Sequence, residues 1–128
     1  MAVIIADTDV LIDFLSASER AAERVHRELQ NGNLATTVVT RFELLSGARS
    51  ARALRTIGQL LESIRTVELD TAAADRAATV RRLLERKGST IGMADSLIAG
   101  IVLTVSGVLL TRNRRHFDRV EGLKLAPI

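Results

Sequence analysis

Short apolar runs alternate along this chain with longer stretches in which apolar residues recur every three or four positions. The short runs predict buried strands, because they are too brief for helices and are dominated by Val, Ile, Leu and Thr. They cover residues 3–6, 34–39, 64–69 and 108–110, with a last edge strand over 124–126. The longer stretches predict helices over about 9–16, from after Ser18 to 31–32, over 40–47, 50–62, 71–87 and 92–105, and a short one within 111–119. This alternation indicates an α/β fold with a small, mainly parallel sheet.

Polar residues mark several predicted helix ends. Thr8 or Asp9 is predicted to cap the first helix, and Asp70 the long helix over 71–87, which ends at Gly88. Thr40 with Glu43 three residues later matches a capping box, in which the glutamate bonds back to the start of its helix. On this interpretation Glu43 has a structural role.

The composition is typical of one globular domain, spanning 1–128 without a repeat or linker. Aromatic residues make up 2% of the chain, so the core must be built from Leu, Ile, Val and Ala. The chain has no cysteine, which excludes disulfides, thiolate metal sites and cysteine nucleophiles. The apolar segment 97–110 is interrupted by glycine and hydroxyl residues, and no basic leader precedes residues 3–6. We therefore expect a cytoplasmic protein with no membrane partner.

The formal net charge is +3, and nearly all the cationic residues are arginines, since Lys87 and Lys124 are the only lysines. Arginine suits bidentate contacts to phosphate, so the charge permits an anionic partner such as RNA. A GC-rich genome produces the same excess of arginine. Charge by itself therefore does not decide the function.

Acidic and polar residues follow three of the predicted strands, which is where ligands bind in parallel α/β sheets. They form the segments Asp7-Thr8-Asp9, Thr40–Glu43 and Thr111–Asn113. Asp7 ends a run of hydrophobic residues, and one helix cap does not account for both Asp7 and Asp9. Asp13 lies four residues further on and is interpreted as an exposed acid on a helix face.

Asp95 is the most informative acid, because it lies in the first turn of a helix that is apolar on almost every side. The helix dipole stabilises an acid there by up to about 1 kcal/mol. Burial of an unpaired carboxylate costs several times that amount. Asp95 is therefore interpreted as a functional residue.

The segment over 110–118 is polar and basic. Asn113 and Asp118 are its candidate site residues, and Thr111 is either a helix cap or a group that orders a ligand. His116 is interpreted as a surface residue. Three arginines are candidates for contacts to RNA phosphates, or else belong to a solvated turn: Arg112, Arg114 and Arg115.

Carboxylates gathered at one end of a parallel sheet repel one another, by roughly 4 kcal/mol per pair at 4 Å and an effective dielectric near 20. A proton or a divalent cation must compensate such a cluster. Hard oxygen ligands favour Mg²⁺ or Mn²⁺, and the chain has neither cysteine nor a paired-histidine motif for zinc. Such a cation suits phosphoryl chemistry.

Four segments, in order and spread over the whole chain, resemble PIN-domain proteins, and most closely the VapC-type toxins of type II toxin–antitoxin systems. The segments are Asp7-Thr8-Asp9-Val10-Leu11-Ile12, Thr40-Arg41-Phe42-Glu43-Leu44-Leu45-Ser46-Gly47, Asp95-Ser96-Leu97-Ile98-Ala99, and Leu110-Thr111-Arg112-Asn113-Arg114-Arg115-His116-Phe117. Each motif is weak alone, but four in order at the expected spacing are specific.

The resemblance implies a three-layer α/β/α fold and Mg²⁺- or Mn²⁺-dependent endoribonuclease activity. It implies that Asp7, Glu43 and Asp95 are the core metal ligands, that Asp9 assists them, and that Asn113 stands where many relatives have a fourth acid. Asp118 is the alternative for that fourth position. The resemblance also implies a homodimer and inhibition by a VapB-type antitoxin, in a groove expected near helices over 19–30 and 40–62. DNA would then be bound only indirectly, through the antitoxin.

Two alternatives remain. The segment Asp7-Thr8-Asp9 also resembles the opening motif of haloacid-dehalogenase-like phosphatases, but that family needs a lysine and a later acidic pair. Lys87 closes a long helix and Asp95 has no acidic neighbour in the sequence, which argues against a phosphatase. The other alternative is a PIN fold kept for binding, with a weak or inactive site.

Overall fold

The computed structural model describes residues 2–16 and 19–127. Its elements follow the predicted order. Their ends differ from the prediction by no more than two residues, except that the short helix predicted within 111–119 begins only at Arg114. Ser18, predicted to precede the second helix, lies outside the described residues. The elements are β1 (Ile4–Ala6), α1 (Thr8–Leu15), α2 (Glu19–Gln30), β2 (Leu34–Thr37), α3 (Val38–Gly47), α4 (Ala51–Glu62), β3 (Arg65–Val67), α5 (Thr71–Arg86), α6 (Met93–Thr104), β4 (Val108–Leu110), α7 (Arg114–Phe117) and β5 (Lys124–Leu125).

The strands of the described residues form one parallel sheet in the order β3-β2-β1-β4-β5. Successive strand residues point to opposite faces and enter different cores. Ile5, Ala35 and Leu109 pack with α5, α6 and α7. Their neighbours Ala6 and Leu110 pack with α1 to α4 on the other face. The predicted three-layer α/β/α fold is confirmed.

The chain leaves β1 toward β2 on one side and later returns to β4 on the other side of β1. The carboxyl ends of β1 and β4 therefore form the point where the strand order reverses, which is the usual ligand site of open parallel sheets. No helix within the described residues has the length and apolar character needed to cross a membrane.

Two predicted helix caps are wrong. Asp7, rather than Thr8 or Asp9, caps α1, and its side chain accepts a hydrogen bond from the backbone N–H of Thr8. Thr37 caps α3 by accepting from the backbone N–H of Thr40 at 3.1 Å. The β-branched residues at 38 and 39 favoured a longer strand, but the cap at Thr37 lets the helix begin there. Glu43 consequently lies in the second turn of α3 and is not part of a capping box.

The ends of α5 agree with the prediction. Asp70 accepts a hydrogen bond from the backbone N–H of Ala73 at 2.8 Å. Gly88 follows the helix with a φ of +67°, a left-handed conformation that glycine adopts without steric cost.

Helix α6 packs closely against α5 through Gly100. A Cβ atom at this position would lie 2.5 Å from the carbonyl oxygen of Ala73 and 2.7 Å from the Cβ of Ala77. The absence of a side chain therefore allows the two backbones to approach. This contact fixes α6, and with it Asp95 in the first turn of α6.

Candidate active site

Three acidic residues meet near the carboxyl ends of β1 and β4. Asp7 directly follows β1, Asp9 lies in the first turn of α1, and Asp95 lies in the first turn of α6. Thr111, which directly follows β4, is fully buried between them and hydrogen-bonds two of these acids. The fold thus gathers residues that are up to 104 positions apart in the sequence.

Asp7 is the most buried of the acids, with 6% of its surface exposed. Its Oδ1 accepts the backbone N–H of Thr8 at 2.8 Å, and its Oδ2 accepts the hydroxyl of Thr111 at 2.7 Å. Burial raises the pKa of Asp7 to about 6. The hydrogen bonds from Thr111 and Thr8 oppose this rise in pKa, whereas the negative charges of Asp9 and Asp95 add to it.

Asp9 has one oxygen with partners and one without. Its Oδ2 accepts the backbone N–H of Arg112 at 3.2 Å and lies 3.4 Å from the Thr111 hydroxyl. Its Oδ1 is buried and has no hydrogen-bond partner within the described residues. Burial raises the pKa of Asp9, and the guanidinium charge of Arg112 opposes that rise. A buried carboxylate oxygen without a partner is costly, and a hydrogen-bond donor or a cation at this position would stabilise it.

Asp95 belongs to a triangle of polar side chains with Asn113 and His116. The Asn113 amide nitrogen lies 3.4 Å from Asp95 Oδ2 and 2.9 Å from His116 Nδ1. His116 Nδ1 lies 3.1 Å from the same Asp95 oxygen. Depending on its tautomer, Nδ1 donates to Asp95 or accepts from Asn113. The helix start at Asn113 and the one-turn length of α7 bring both residues to Asp95.

Glu43 is connected to the other acids through Thr8. The Thr8 hydroxyl lies 2.6 Å from Glu43 Oε1 and 3.0 Å from the hydroxyl of Thr40. Glu43 also lines two surface cavities, one on each side of α3. Its carboxylate therefore stands at the edge of the acid cluster rather than within it.

The remaining predicted residues of this region lie at its margin. Asp118 is exposed at the end of α7 and makes no side-chain hydrogen bond within the described residues. The Arg112 guanidinium pairs with Asp13 through contacts of 2.5 and 3.3 Å. The Asp13 side chain is only 19% exposed, so the interpretation of Asp13 as an exposed acid is wrong. Arg114 donates to the backbone oxygen of Ala126 at 2.8 Å, and Arg115 is exposed.

The oxygen ligands that these acids offer are of the kind that a hard divalent cation prefers. Asp7, Asp9, Glu43 and Asp95 offer carboxylate oxygens, and the Oδ1 of Asp9 is a buried acceptor that lacks a partner. In the described part of the chain, no three His, Cys, Asp or Glu side chains converge closely enough to enclose an ion as they stand. A cation bound here would therefore draw these side chains together.

The sequence did not predict that three residues would contact the acids or one another beside them: Thr8, Thr40 and His116. Thr8 was considered as a helix cap, Thr40 as the start of a capping box, and His116 as a surface residue. The available signal was their position inside the motifs that carry the acids. Lys87 caps the end of α5 and lines a separate small cavity with Val80 and Arg119, so it is not part of the acid cluster.

A family model described as the PIN domain matches residues 4–123. A relative from Shigella flexneri, named tRNA(fMet)-specific endonuclease VapC, is 32% identical over 122 residues, which cover 92% of each chain. Ribonuclease VapC10 from Mycobacterium tuberculosis strain H37Rv is 35% identical over 121 residues, which cover 94% of this chain and 90% of the relative.

Solved structures agree with these sequence matches. The crystal structure of DNA-bound VapBC from Salmonella typhimurium superposes with a TM-score of 0.86 at 27% identity and covers 98% of both chains. VapBC-1 from nontypeable Haemophilus influenzae superposes with a TM-score of 0.83 at 24% identity, covering 97% of this chain and 96% of that chain. The second likeness bears on the fold alone.

Proposed function

Because the chain belongs to the PIN-domain family, we propose that it is a divalent-metal-dependent endoribonuclease that acts as the toxin of a type II toxin–antitoxin module. The observation that carries this proposal is the grouping of Asp7, which is buried, with Asp9 and Asp95, which are partly buried, at the reversal point of the sheet. The two relatives described above are named as an RNA-cleaving endonuclease and a ribonuclease. Their likeness extends over nine-tenths of each chain, which supports a common activity.

The residues proposed to hold the cation are Asp7, Asp9, Glu43 and Asp95, with Asn113 completing the site beside Asp95. A bound Mg²⁺ or Mn²⁺ supplies positive charge that activates water and offsets charge on the cleaved phosphodiester. Thr111 orients the Asp7 carboxylate, and the backbone N–H of Arg112 orients that of Asp9. These hydrogen bonds keep the two carboxylates in place before substrate arrives, which lowers the cost of reorganisation.

RNA is proposed to approach from the basic rim of the site. Arg115 is exposed, and Arg112 is half exposed while paired with Asp13. Both can contact phosphates without unfolding any element. Arg114 holds the carbonyl of Ala126 and is assigned a structural role instead.

The antitoxin is proposed to bind a groove of about 680 Å³ beside Glu43. The groove combines apolar residues such as Ile12, Leu15 and Ile57 with Arg49 and Arg52. It is lined by α1, α3 and α4, and its described lining includes no residue of α2, which had been expected to contribute. DNA binding is assigned to the antitoxin.

A second copy of the chain is proposed to cover an apolar patch on the other side of Glu43. We define this α3–α6 patch as Val38, Val39, Phe42, Met93, Ala94 and Leu97. Phe42 and Met93 are 70% and 66% exposed, unusually high values for large apolar residues. A homodimer formed here would bring two active sites together across α3.

The experiment that tests the proposed activity is RNA cleavage by the purified chain. Total RNA enriched in tRNA is incubated with the protein and Mn²⁺ or Mg²⁺, with and without EDTA, and cleavage is followed on sequencing gels. We expect cleavage that EDTA abolishes and that Asp7→Asn reduces by roughly 100-fold or more, since a negatively charged ligand of the proposed cation is lost. Asp118→Asn is the matched control and should cleave like the wild type, because Asp118 is exposed outside the cluster. Cleavage that survives EDTA or Asp7→Asn would contradict the mechanism.

A PIN-fold binding module with a weak site is the second candidate. It is favoured by the spacing of the acids, since no three of them in the described residues converge on one point. Binding of RNA without cleavage in either cation would support it. The phosphatase alternative is set aside, because the chain belongs to the PIN-domain family and Lys87 lies outside the acid cluster.

A further inference from the structure

Two threonine hydroxyls from different helices meet beside Glu43. Thr8 lies in the first turn of α1 and Thr40 in the first turn of α3. Their hydroxyl oxygens are 3.0 Å apart, and the Thr8 oxygen is 2.6 Å from Glu43 Oε1. Thr40 is fully buried, so its hydroxyl has no access to solvent.

The direction of these hydrogen bonds follows from the number of protons. A carboxylate can only accept, so the single hydroxyl proton of Thr8 goes to Glu43. The contact between the two threonines must then use the proton of Thr40, with the Thr8 oxygen as acceptor. The result is a directed chain from Thr40 through Thr8 to Glu43.

Thr8 also connects Glu43 to Asp7. Its backbone N–H donates to Asp7 Oδ1 at 2.8 Å while its hydroxyl donates to Glu43. One residue therefore sets the relative position of two carboxylates that come from different elements. Within the described residues, the Glu43 carboxylate has no ion pair and no other hydrogen bond, although a glutamate side chain has three rotatable bonds to fix.

We propose that Thr40 and Thr8 are positioning residues that form a hydroxyl relay and hold the Glu43 carboxylate against the acid cluster. The consequence for metal binding rests on the proposed function, whereas the fixed side-chain position does not. Thr40 supplies the buried end of the relay and Thr8 the end that touches Glu43. Removing the Thr8 hydroxyl releases Glu43, whereas removing the Thr40 hydroxyl leaves the Thr8 hydroxyl less well oriented and so loosens Glu43. Neither change removes a contact of the other acids.

The test compares Thr8→Val, which has nearly the same shape and keeps the backbone N–H to Asp7, with Thr8→Ser, which keeps the hydroxyl. Thr40→Val and Thr40→Ser examine the buried end in the same way. The Glu43 rotamer is measured on the metal-free full chain from NMR three-bond couplings. Mn²⁺ affinity is measured by electron paramagnetic resonance, and thermal unfolding in EDTA verifies that each variant is folded.

We expect one Glu43 rotamer in the wild type and in both serine variants, averaged couplings in Thr8→Val, and partly averaged couplings in Thr40→Val. Mn²⁺ affinity should fall about 10-fold or more in Thr8→Val, as is typical when a group that orients a metal ligand is lost. In a Glu43→Ala background, adding Thr8→Val should not weaken Mn²⁺ binding beyond the effect of Glu43→Ala itself, because the relay acts through Glu43.

A single unchanged Glu43 rotamer in folded Thr8→Val and Thr40→Val would overturn the relay, whatever the chain does to RNA. A loss of affinity in Thr8→Val that is undiminished in the Glu43→Ala background would also overturn it, since Thr8 would then act by another route. Averaging of Glu43 in the valine variants of a chain that neither binds Mn²⁺ nor cleaves RNA would support the relay and reject the proposed function. The two proposals can therefore fail separately.

Discussion

Among the described acids, Asp7 lies where the surroundings disfavour a negative charge most. It is buried, it lies near two other acids, and its hydrogen bonds from Thr8 and Thr111 offset the cost of ionisation only in part. It also caps α1, so one side chain serves both the helix and the acid cluster. A carboxylate with a pKa raised by burial and by like charges is typical of a functional site rather than of a structural cap.

The raised pKa of Asp7 predicts that the metal-free protein loses stability as the pH rises. The ordinary pKa of 3.8 applies to the unfolded chain, and the pKa in the folded chain is about 6. Between these values the folded chain retains a proton that the unfolded chain has released, so the free energy of unfolding decreases with increasing pH, by about 3 kcal/mol at most. Urea unfolding in EDTA at several pH values from 4 to 7 measures this decrease.

Asp7→Asn should remove most of that decrease and should be more stable than the wild type above pH 6. Asp9, whose pKa is also raised, contributes a decrease of the same sign that remains in the variant. Asp118→Asn serves as the control and should follow the wild-type curve. Parallel curves for Asp7→Asn and the wild type would show that Asp7 is not the group responsible.

At the scale of elements, the position of Asp95 depends on how α6 packs against α5. Gly100 allows a backbone approach that any side chain would block, with Ala73 and Ala77 on the facing helix. Asp95, in the first turn of α6, then lies near the end of β4 and beside Asn113. A close contact between small residues on α5 and α6 thus helps to place Asp95, which lies on the same helix as Gly100.

Gly100→Ala should destabilise the protein by about 1–3 kcal/mol, because the new Cβ would overlap the backbone of α5 and force the helices apart. Gly58→Ala in α4 is the matched control, since nothing in the described structure lies within 4 Å of the added Cβ. It should stabilise the protein by about 0.5–1 kcal/mol through helix propensity alone. Equilibrium urea unfolding of both variants measures the difference, and equal effects of the two substitutions would contradict the packing argument.

At the scale of the whole molecule, Glu43 stands between two surfaces with different character. The groove along α1, α3 and α4 contains arginines, whereas the α3–α6 patch is apolar. The groove suits a partner with acidic and apolar residues, and the patch suits a second copy of the chain. A partner on either surface would lie beside the active site, so assembly and activity would be coupled through α3.

Phe42→Glu should convert the proposed homodimer into a monomer. A charge in the centre of the α3–α6 patch would be buried without a partner, and a loss of ~2 kcal/mol corresponds to roughly 30-fold weaker association. Light scattering after gel filtration distinguishes twice the 13.9 kDa chain mass from the chain mass itself. Leu54→Glu is the control, because Leu54 is also exposed but lies on α4 outside the patch. A monomeric wild type, or a dimer that survives Phe42→Glu, would rule out this interface.

The sequence by itself determined the order and type of the elements and the fold class. Short apolar runs and helical periodicity are local patterns, and the tertiary structure shifts the ends of all elements but α7 by at most two residues. The sequence also identified Asp7, Asp9, Glu43 and Asp95 as candidate site residues. Carboxylates that follow buried strands or begin an apolar helix need a partner that compensates their charge. Their assignment as metal ligands remains a prediction.

Tertiary structure decided which groups surround those acids. The relay from Thr40 through Thr8 and the contact of His116 with Asp95 depend on distances between separate elements. The caps at Asp7 and Thr37 are local contacts, to residues one and three positions further on, and the sequence pattern assigned them to the wrong residues. The same holds for the pairing of Arg112 with Asp13 and for the unpartnered oxygen of Asp9. A sequence pattern records which residues share a face or a strand end, whereas hydrogen bonding and burial arise only when the sheet brings distant segments together.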